Sequence, residues 1–275
     1  MENSRPSFIR RHSLWAFFIL TFALNITITV IQLYILRIPQ TTAVSLLQVF
    51  TPTISALILS ALIGGKAEML KLLSGFTRWK VSLWWYLAAF MMTGFPLLIA
   101  VVYILLGNPI GGLQPGTTFW TLLGALLFTL FSGPIAEEAG WRGFALPRLQ
   151  EKHSALASSL FLGFLWACWH LPFYLEPHYA ERGMPLPIFL CVVTALSVLF
   201  AWIYNNTGGS LLLTVLAHFF FNFSSAFLVL RFGLLPPMWL YIGGGGLMML
   251  LIVFAVIVFG PGRLSRQRTP VWSVQ

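Results

Sequence analysis

No aspartate occurs anywhere in the 275 residues, so all seven acidic positions are glutamate. That absence removes chemistry built on two aspartates sharing a proton, the intramembrane aspartyl proteases included. Charge of either sign is scarce. Charged residues make up 8 % of the chain, against about a quarter in soluble domains. Together with 58 % hydrophobic residues, this is the composition of a polytopic membrane protein and excludes a soluble globular domain. Cysteine is limited to Cys168 and Cys191, both inside apolar runs, so neither a disulfide framework nor a cysteine zinc site is expected. The HExxH signature of soluble zinc proteases is missing as well. The net charge of +9 does not imply nucleic acid as a partner, because the basic residues are scattered at the ends of apolar segments, where they set topology. The first apolar run is long enough to span a bilayer and lacks a small-residue cleavage site, so no cleavable signal peptide is expected.

Spanning helices need about 20 mostly apolar residues. Eight such segments can be traced, at about 14–36, 42–64, 82–106, 118 onward through the two adjacent glutamates, 155–175, 186–204, 210–230 and 237–260. The pattern predicts an all-α polytopic membrane protein of about eight transmembrane helices, one domain over 1–275, with a charged tail at 261–275. Arg37-Ile38-Pro39, Gly64-Gly65 and Gly107-Asn108-Pro109 read as stops, and Ile110 to Gly116 as turn chemistry. Lys66 to Lys80 reads as a basic loop. Pro134 is placed to kink the fourth helix or restart it, and a basic segment from Arg148 to Lys152 separates it from the fifth. His12, His153, His178, Glu151, Glu176 and Glu181 read as ordinary surface residues. With a cytoplasmic N-terminus, the inside segments collect 13 of the 16 Lys and Arg residues and the outside loops hold Arg37, Arg182 and Arg231. That asymmetry predicts both termini in the cytoplasm, a plasma-membrane location and functional groups near the cytoplasmic face. Basic ends of this kind also suit anionic membrane lipid, and Gly243 to Gly246 allow close helix approach.

The stretch Gly133-Pro134-Ile135-Ala136-Glu137-Glu138-Ala139-Gly140-Trp141-Arg142-Gly143 holds two of the seven acids at the end of an apolar run. A charge at bilayer depth costs several kcal/mol unless it is paired or faces water, so an intramembrane carboxylate points to function. Glu138 and Arg142 stand at i and i+4, acidic residue first, the better order for an ion pair. Glu137 lies about 100° around the helix from Glu138. This divides the labour into a Glu138–Arg142 clamp and a free Glu137. Two further helices carry isolated polarity: His170 in the fifth, and His218 with Asn222 one turn later in the seventh. Singly, each suits interhelical hydrogen bonding. Jointly they are the groups that hydrolyse an amide, with a carboxylate and an imidazole to deprotonate water and a neutral donor for the oxyanion. Glu137, His170 and His218 also make a two-histidine, one-carboxylate zinc set with an open position for water.

Glu137-Glu138-xxx-Arg142, an aromatic four residues before His170, and His218-xxx-Asn222 resemble, in order and spacing, the three motifs of the CAAX-protease and bacteriocin-processing family. These are glutamate intramembrane proteases of the type that cleaves prenylated proteins. The resemblance covers about Phe131 to Asn222, inside a core placed at 118–230. The second motif usually reads Phe-xxx-His, and here Trp166 keeps the aromatic. The resemblance implies an eight-helix fold with a conical, water-accessible cavity embedded in the membrane. It implies that Glu137 and His170 activate water, that His218 and Asn222 stabilise the oxyanion, and that Glu138 and Arg142 support the site. The expected substrate is a lipid-anchored or membrane-embedded protein or peptide. Activation by the imidazole–carboxylate pair alone or by zinc stays open at this point. Two other classes fit the sequence less well. A scaffold or bacteriocin-immunity protein has no physical need for an unpaired Glu137. A transporter coupled through Glu137 is disfavoured by the lack of internal repeats and of paired broken helices.

Overall fold

The computed structural model describes residues 8–109, 116–175, 184–225 and 236–267. The turn expected over 110–115, the loop residues Glu176, His178, Glu181 and Arg182, the end of the seventh segment with Arg231, and the tail from Arg268 lie outside the described residues, as does Arg5. The described chain is all helix, with no strand among its elements. After a short turn at Phe8–Arg11, helix α1 covers Ser13–Val30 and ends in a wider π turn to Leu36. Helix α2 is Thr42–Val49, α3 Thr51–Leu73 and α4 Leu83–Leu105, the last with a 3-10 turn at Met91–Thr93. Helix α5 is Phe119–Gln150, α6 Ala155–Trp169 with a 3-10 extension to Leu175, and α7 Leu186–Asn206. Helix α8 is Leu211–Asn222 and α9 Pro237–Phe259.

Each expected apolar segment is a helix. Six are long and apolar enough to cross a bilayer, or seven if α2 and α3, bent by 45° at their junction, form one span. Helix α8 is a shorter apolar element. Large apolar side chains such as Leu105, Trp84 and Ile257 point outward, as lipid-facing surfaces do. Helix α7 is the innermost span: 67 % of its most apolar stretch is buried, while no other span exceeds 44 %.

Three expectations change. Lys66 to Lys80 is not a loop. The backbone leaves helical geometry at Gly64 and Gly65, the latter at φ 63°, and then resumes as helix to Leu73 and a 3-10 turn to Thr77. The Gly-Gly pair is therefore a break in α3, at a conformation glycine adopts without a Cβ penalty. Pro134 does not restart α5, which continues through it. Proline has no N–H to give and its ring crowds the carbonyl four residues back. The chain widens into a π turn at Phe131–Ile135, and again at Ala139–Ala145, so that α5 absorbs the defect. Arg148 then belongs to the last turn of α5 and not to a separating segment. At 32 residues and about 1.5 Å per residue, α5 is longer than the ~30 Å hydrocarbon layer.

Local chemistry fixes the helix starts. Thr118 and Thr121 form a reciprocal capping box on α5, Ser154 caps α6 and Ser210 caps α8. Gly140 of α5 lies so close to Pro52 of α3 that a Cβ there would sit 2.6 Å from the Pro52 backbone. Gly163 of α6 meets Thr194 and Ser197 of α7 in the same way. Small residues at these crossings replace the hydrophobic driving force that lipid does not supply. The first part of the tail also docks. Ala155 and Leu156 donate backbone N–H groups to Gly262 and Pro261 at 2.8 and 3.1 Å, and Asn205 and Asn206 donate to the carbonyls of Arg263 and Leu264.

Candidate active site

The widened segment of α5 turns Glu137, Glu138 and Arg142 inward, where all three are buried. Arg142 donates to Glu138 Oε1 at 2.9 Å, and neither side chain is exposed. The guanidinium also lies under two aromatic faces, 4.3 Å from the centre of the Trp166 ring and 4.9 Å from that of Phe200. A buried cation is tolerable when it is both paired and stacked in this way. The clamp expected from i, i+4 spacing is thus formed.

The same Glu138 oxygen serves a second partner. His218 Nδ1 lies 2.9 Å from Glu138 Oε1. An ionised carboxylate only accepts, so Nδ1 carries the proton and Nε2 is the nitrogen presented to the site. His170 is set by a similar rule. Its Nδ1 is 2.8 Å from the Trp166 carbonyl, which likewise only accepts, leaving Nε2 as the nitrogen with a lone pair.

Glu137 is not entirely free. Its Oε2 accepts the indole N–H of Trp166 at 2.5 Å. Its other oxygen faces a bare patch of α5 at Gly133. A Cβ placed on Gly133 would meet Asn222 Nδ2 at 3.1 Å, Glu137 Oε1 at 3.5 Å and His218 Nε2 at 3.6 Å. Carboxylate, imidazole and amide therefore converge on the bare face of α5 at Gly133. Gly133 is the position in this arrangement to which sequence reasoning gave no role of its own. Its signal was a Gly-Pro pair inside a helix, one turn before the acid.

Trp166 links this face to His170. The indole ring makes an edge contact with the His218 ring, centroids 5.3 Å apart, and lies 5.9 Å from the His170 ring. The atoms that a zinc set of Glu137, His170 and His218 would use are Glu137 Oε1 and the two Nε2 nitrogens, since the Nδ1 atoms and Oε2 are engaged elsewhere. Among the described residues, no three His, Cys, Asp or Glu side chains are placed to hold a metal ion. The Glu138 bond to His218 Nδ1 is of the kind that orients a histidine whether it acts as a ligand or as a free imidazole.

A ladder of neutral polar side chains braces the end of α6. Gln48 donates to Thr29, Asn25 to the Trp169 carbonyl, and Trp169 to Thr51. Asn25, Thr29, Gln48 and Thr51 are all buried, so α1, α2 and α3 fix the backbone next to His170. A cavity of about 270 Å³ reaches Gly143 and Leu211 and is lined by Arg10, Lys71, Arg78 and Arg148, but it includes none of the site residues. There Arg78 and Arg148 already donate to backbone carbonyls of Gly208 and Phe144.

Residues 119–224 match the family model described as type II CAAX prenyl endopeptidase Rce1-like. Over 144 residues the chain is 26 % identical to a protein of Methanococcus maripaludis described as CAAX prenyl protease 2. That match spans 48 % of this chain and 53 % of the relative, about half of each. The segment matched by the family model contains Gly133, Glu137, Glu138, Arg142, Trp166, His170, His218 and Asn222.

Proposed function

We propose that this chain, which belongs to the CAAX-protease and bacteriocin-processing family, is an intramembrane endopeptidase acting on a lipid-anchored or membrane-embedded protein or peptide. The observation that carries the reading is the convergence of Glu137 Oε1, His218 Nε2 and Asn222 Nδ2 on the bare face of Gly133. A water held there sits beside a base and beside donors for the charge that develops. Glu137 takes a proton from the water as its oxygen adds to the scissile carbonyl carbon. The carbonyl oxygen becomes an oxyanion, which Asn222 Nδ2–H stabilises together with His218 in the imidazolium form, its Nε2 having taken a proton from solvent before the attack. Glu138, behind His218, favours that positive charge. When the intermediate collapses, the C–N bond breaks, and the proton held by Glu137 passes to the departing nitrogen. His170 supports water activation from the Trp166 side. None of these steps uses a metal.

The substrate class follows from where the site lies. His218 comes eight residues after the Ser210 cap of α8, a rise of about 12 Å, at an end of the bundle shared with Arg78 and the docked tail. By the positive-inside rule that end is the cytoplasmic one. A bond presented there by a chain tethered in the same leaflet reaches the site without leaving the membrane surface. A prenylated C-terminal peptide, of the kind named in the matching family, fits that description. The plasma membrane is the location that accords with this placement.

The test is cleavage of a farnesylated CAAX peptide by the purified protein in lipid, wild type beside Glu137→Gln, each with and without a zinc chelator. Cleavage by wild type alone, unchanged by chelator, supports the mechanism. Equal cleavage by Glu137→Gln overturns Glu137 as the base, and loss with chelator returns a metal to the site. No cleavage in any lane moves the weight to a non-catalytic membrane scaffold.

A further inference from the structure

Trp166 touches four residues of the site, three through its side chain and one through its backbone carbonyl. Its N–H bonds Glu137 at 2.5 Å. One ring face covers the Arg142 guanidinium at 4.3 Å. Its edge meets His218, and its carbonyl fixes His170 one turn later on α6. It is 2 % exposed, so no water competes for the N–H. Of these contacts, only one depends on the indole nitrogen. The stacking, the edge contact and the carbonyl bond are available to any aromatic at this position.

We infer that the Trp166 indole N–H is a positioning group for Glu137. It pins Oε2 so that Oε1 points at the bare face of Gly133. A carboxylate turns readily about its last two torsions. Without a partner for one oxygen, Glu137 could rotate toward Arg142, the nearest buried cation, and leave the water without a base. The short bond to a neutral donor holds Oε2 in place and keeps Oε1 out of that bond. A cation in the same place would hold it too, but would weaken it as a base through direct charge pairing. A neutral N–H in a buried site thus reconciles orientation with basicity. This inference rests on the proposed proteolytic reading for its kinetic arm and on geometry alone for its spectroscopic arm.

The experiment compares wild type with two replacements of Trp166. Trp166→Phe removes the N–H and trims the ring. Benzothienylalanine at position 166 keeps the bicyclic shape and lacks the N–H, so it guards against a folding effect. Misplacing a reacting group by about 1 Å costs up to about 100-fold in rate. Both replacements are therefore expected to lower kcat by about 10- to 100-fold, with KM changed by less than about twofold. Full kcat in the benzothienylalanine protein overturns the inference while leaving the protease reading intact.

The second arm needs no turnover. The protein has eleven tryptophans, and labelling them with ¹⁵N gives one indole resonance each. The resonance lost in Trp166→Phe belongs to Trp166. It is expected well downfield, and it should move upfield in Glu137→Ala, where the acceptor is gone. An unmoved resonance overturns the inference even if wild type cleaves no peptide at all. A moved one sustains it as a statement about the carboxylate, whatever the substrate proves to be.

Discussion

Glu138 and His218, 80 positions apart in the chain, meet at 2.9 Å, and the same carboxylate oxygen also takes Arg142 at 2.9 Å. One buried anion therefore neutralises a cation on its own helix and sets the tautomer of a histidine on another. These two tasks can be separated. Glu138→Gln or Arg142→Ala leaves a buried charge without its partner and is expected to cost about 3–5 kcal/mol. Replacing both by neutral groups, as in Glu138→Gln with Arg142→Met, removes the unpaired charge, so most of the stability returns. Activity should stay low in the double variant, because His218 Nδ1 has lost its anionic acceptor. Thermal unfolding in detergent beside a cleavage assay gives both readings. A single variant as stable as wild type would show that the pair is not formed.

Gly133 offers a cleaner probe of the chemistry. A methyl group there would lie 3.1 Å from Asn222 Nδ2 and close to Glu137 Oε1 and His218 Nε2. These neighbours are side-chain ends that can give by a few tenths of an ångström, so Gly133→Ala should fold with a melting temperature close to that of wild type. The methyl group nevertheless crowds the three groups assigned to the attacking water. Turnover is expected to fall by at least about 100-fold, the scale of a misplaced reacting group. Unchanged kcat would place the water elsewhere.

Gly140 tests packing without touching the chemistry. Its added Cβ would strike the Pro52 backbone at 2.6 Å, and backbone cannot step aside as a side chain can. Gly140→Ala is expected to destabilise by about 1–3 kcal/mol through overpacking. Gly124, on the same helix, has nothing within 4 Å of its Cβ position. Gly124→Ala should be neutral or slightly stabilising, since alanine is the better helix former. Equal melting temperatures for the two variants would mean that α3 and α5 do not approach as described.

The parts of the site that were legible in the sequence are those carried by local periodicity. Glu138 with Arg142, and His218 with Asn222, follow from i, i+4 geometry alone. The bond between Trp166 and Glu137 crosses two helices, and no spacing rule announces it. Thr21, Asn25, Thr29 and Gln32 make a stripe on one face of α1 and are all buried. That stripe was visible, but neutral polar residues in an apolar helix raise less alarm than charges do. The break at Gly64 and Gly65 was readable from glycine chemistry. The resumption of helix through Lys66 and Lys71 was not, because basic residues after a break look like a loop. Pro134 predicts a disturbance of α5, and its resolution as a π turn comes where that turn packs against α2 and α8.

The tail illustrates the same limit and leads to a further prediction. Leu264 lies between Arg263 and Arg266 in a stretch that reads as solvated charge, yet it is fully buried. Around it, backbone carbonyls of Pro261 and Gly262 accept the first N–H groups of α6, and those of Arg263 and Leu264 accept the side chains of Asn205 and Asn206. A chain ending at Gly260 would leave these donors without acceptors, at about 1–3 kcal/mol for each that stays buried. Its melting temperature should fall by several degrees, and kcat measured well below the transition should remain near that of wild type, because among the described residues the hydrogen bonds that dock the tail go to α6 and the end of α7. A chain ending at Gln267 keeps every one of these bonds and should melt as the full chain does. If both truncations behaved alike, the docked segment would be irrelevant to stability. If the shorter chain instead lost turnover while keeping its melting temperature, the tail would belong to the catalytic apparatus and not to the scaffold that holds α6.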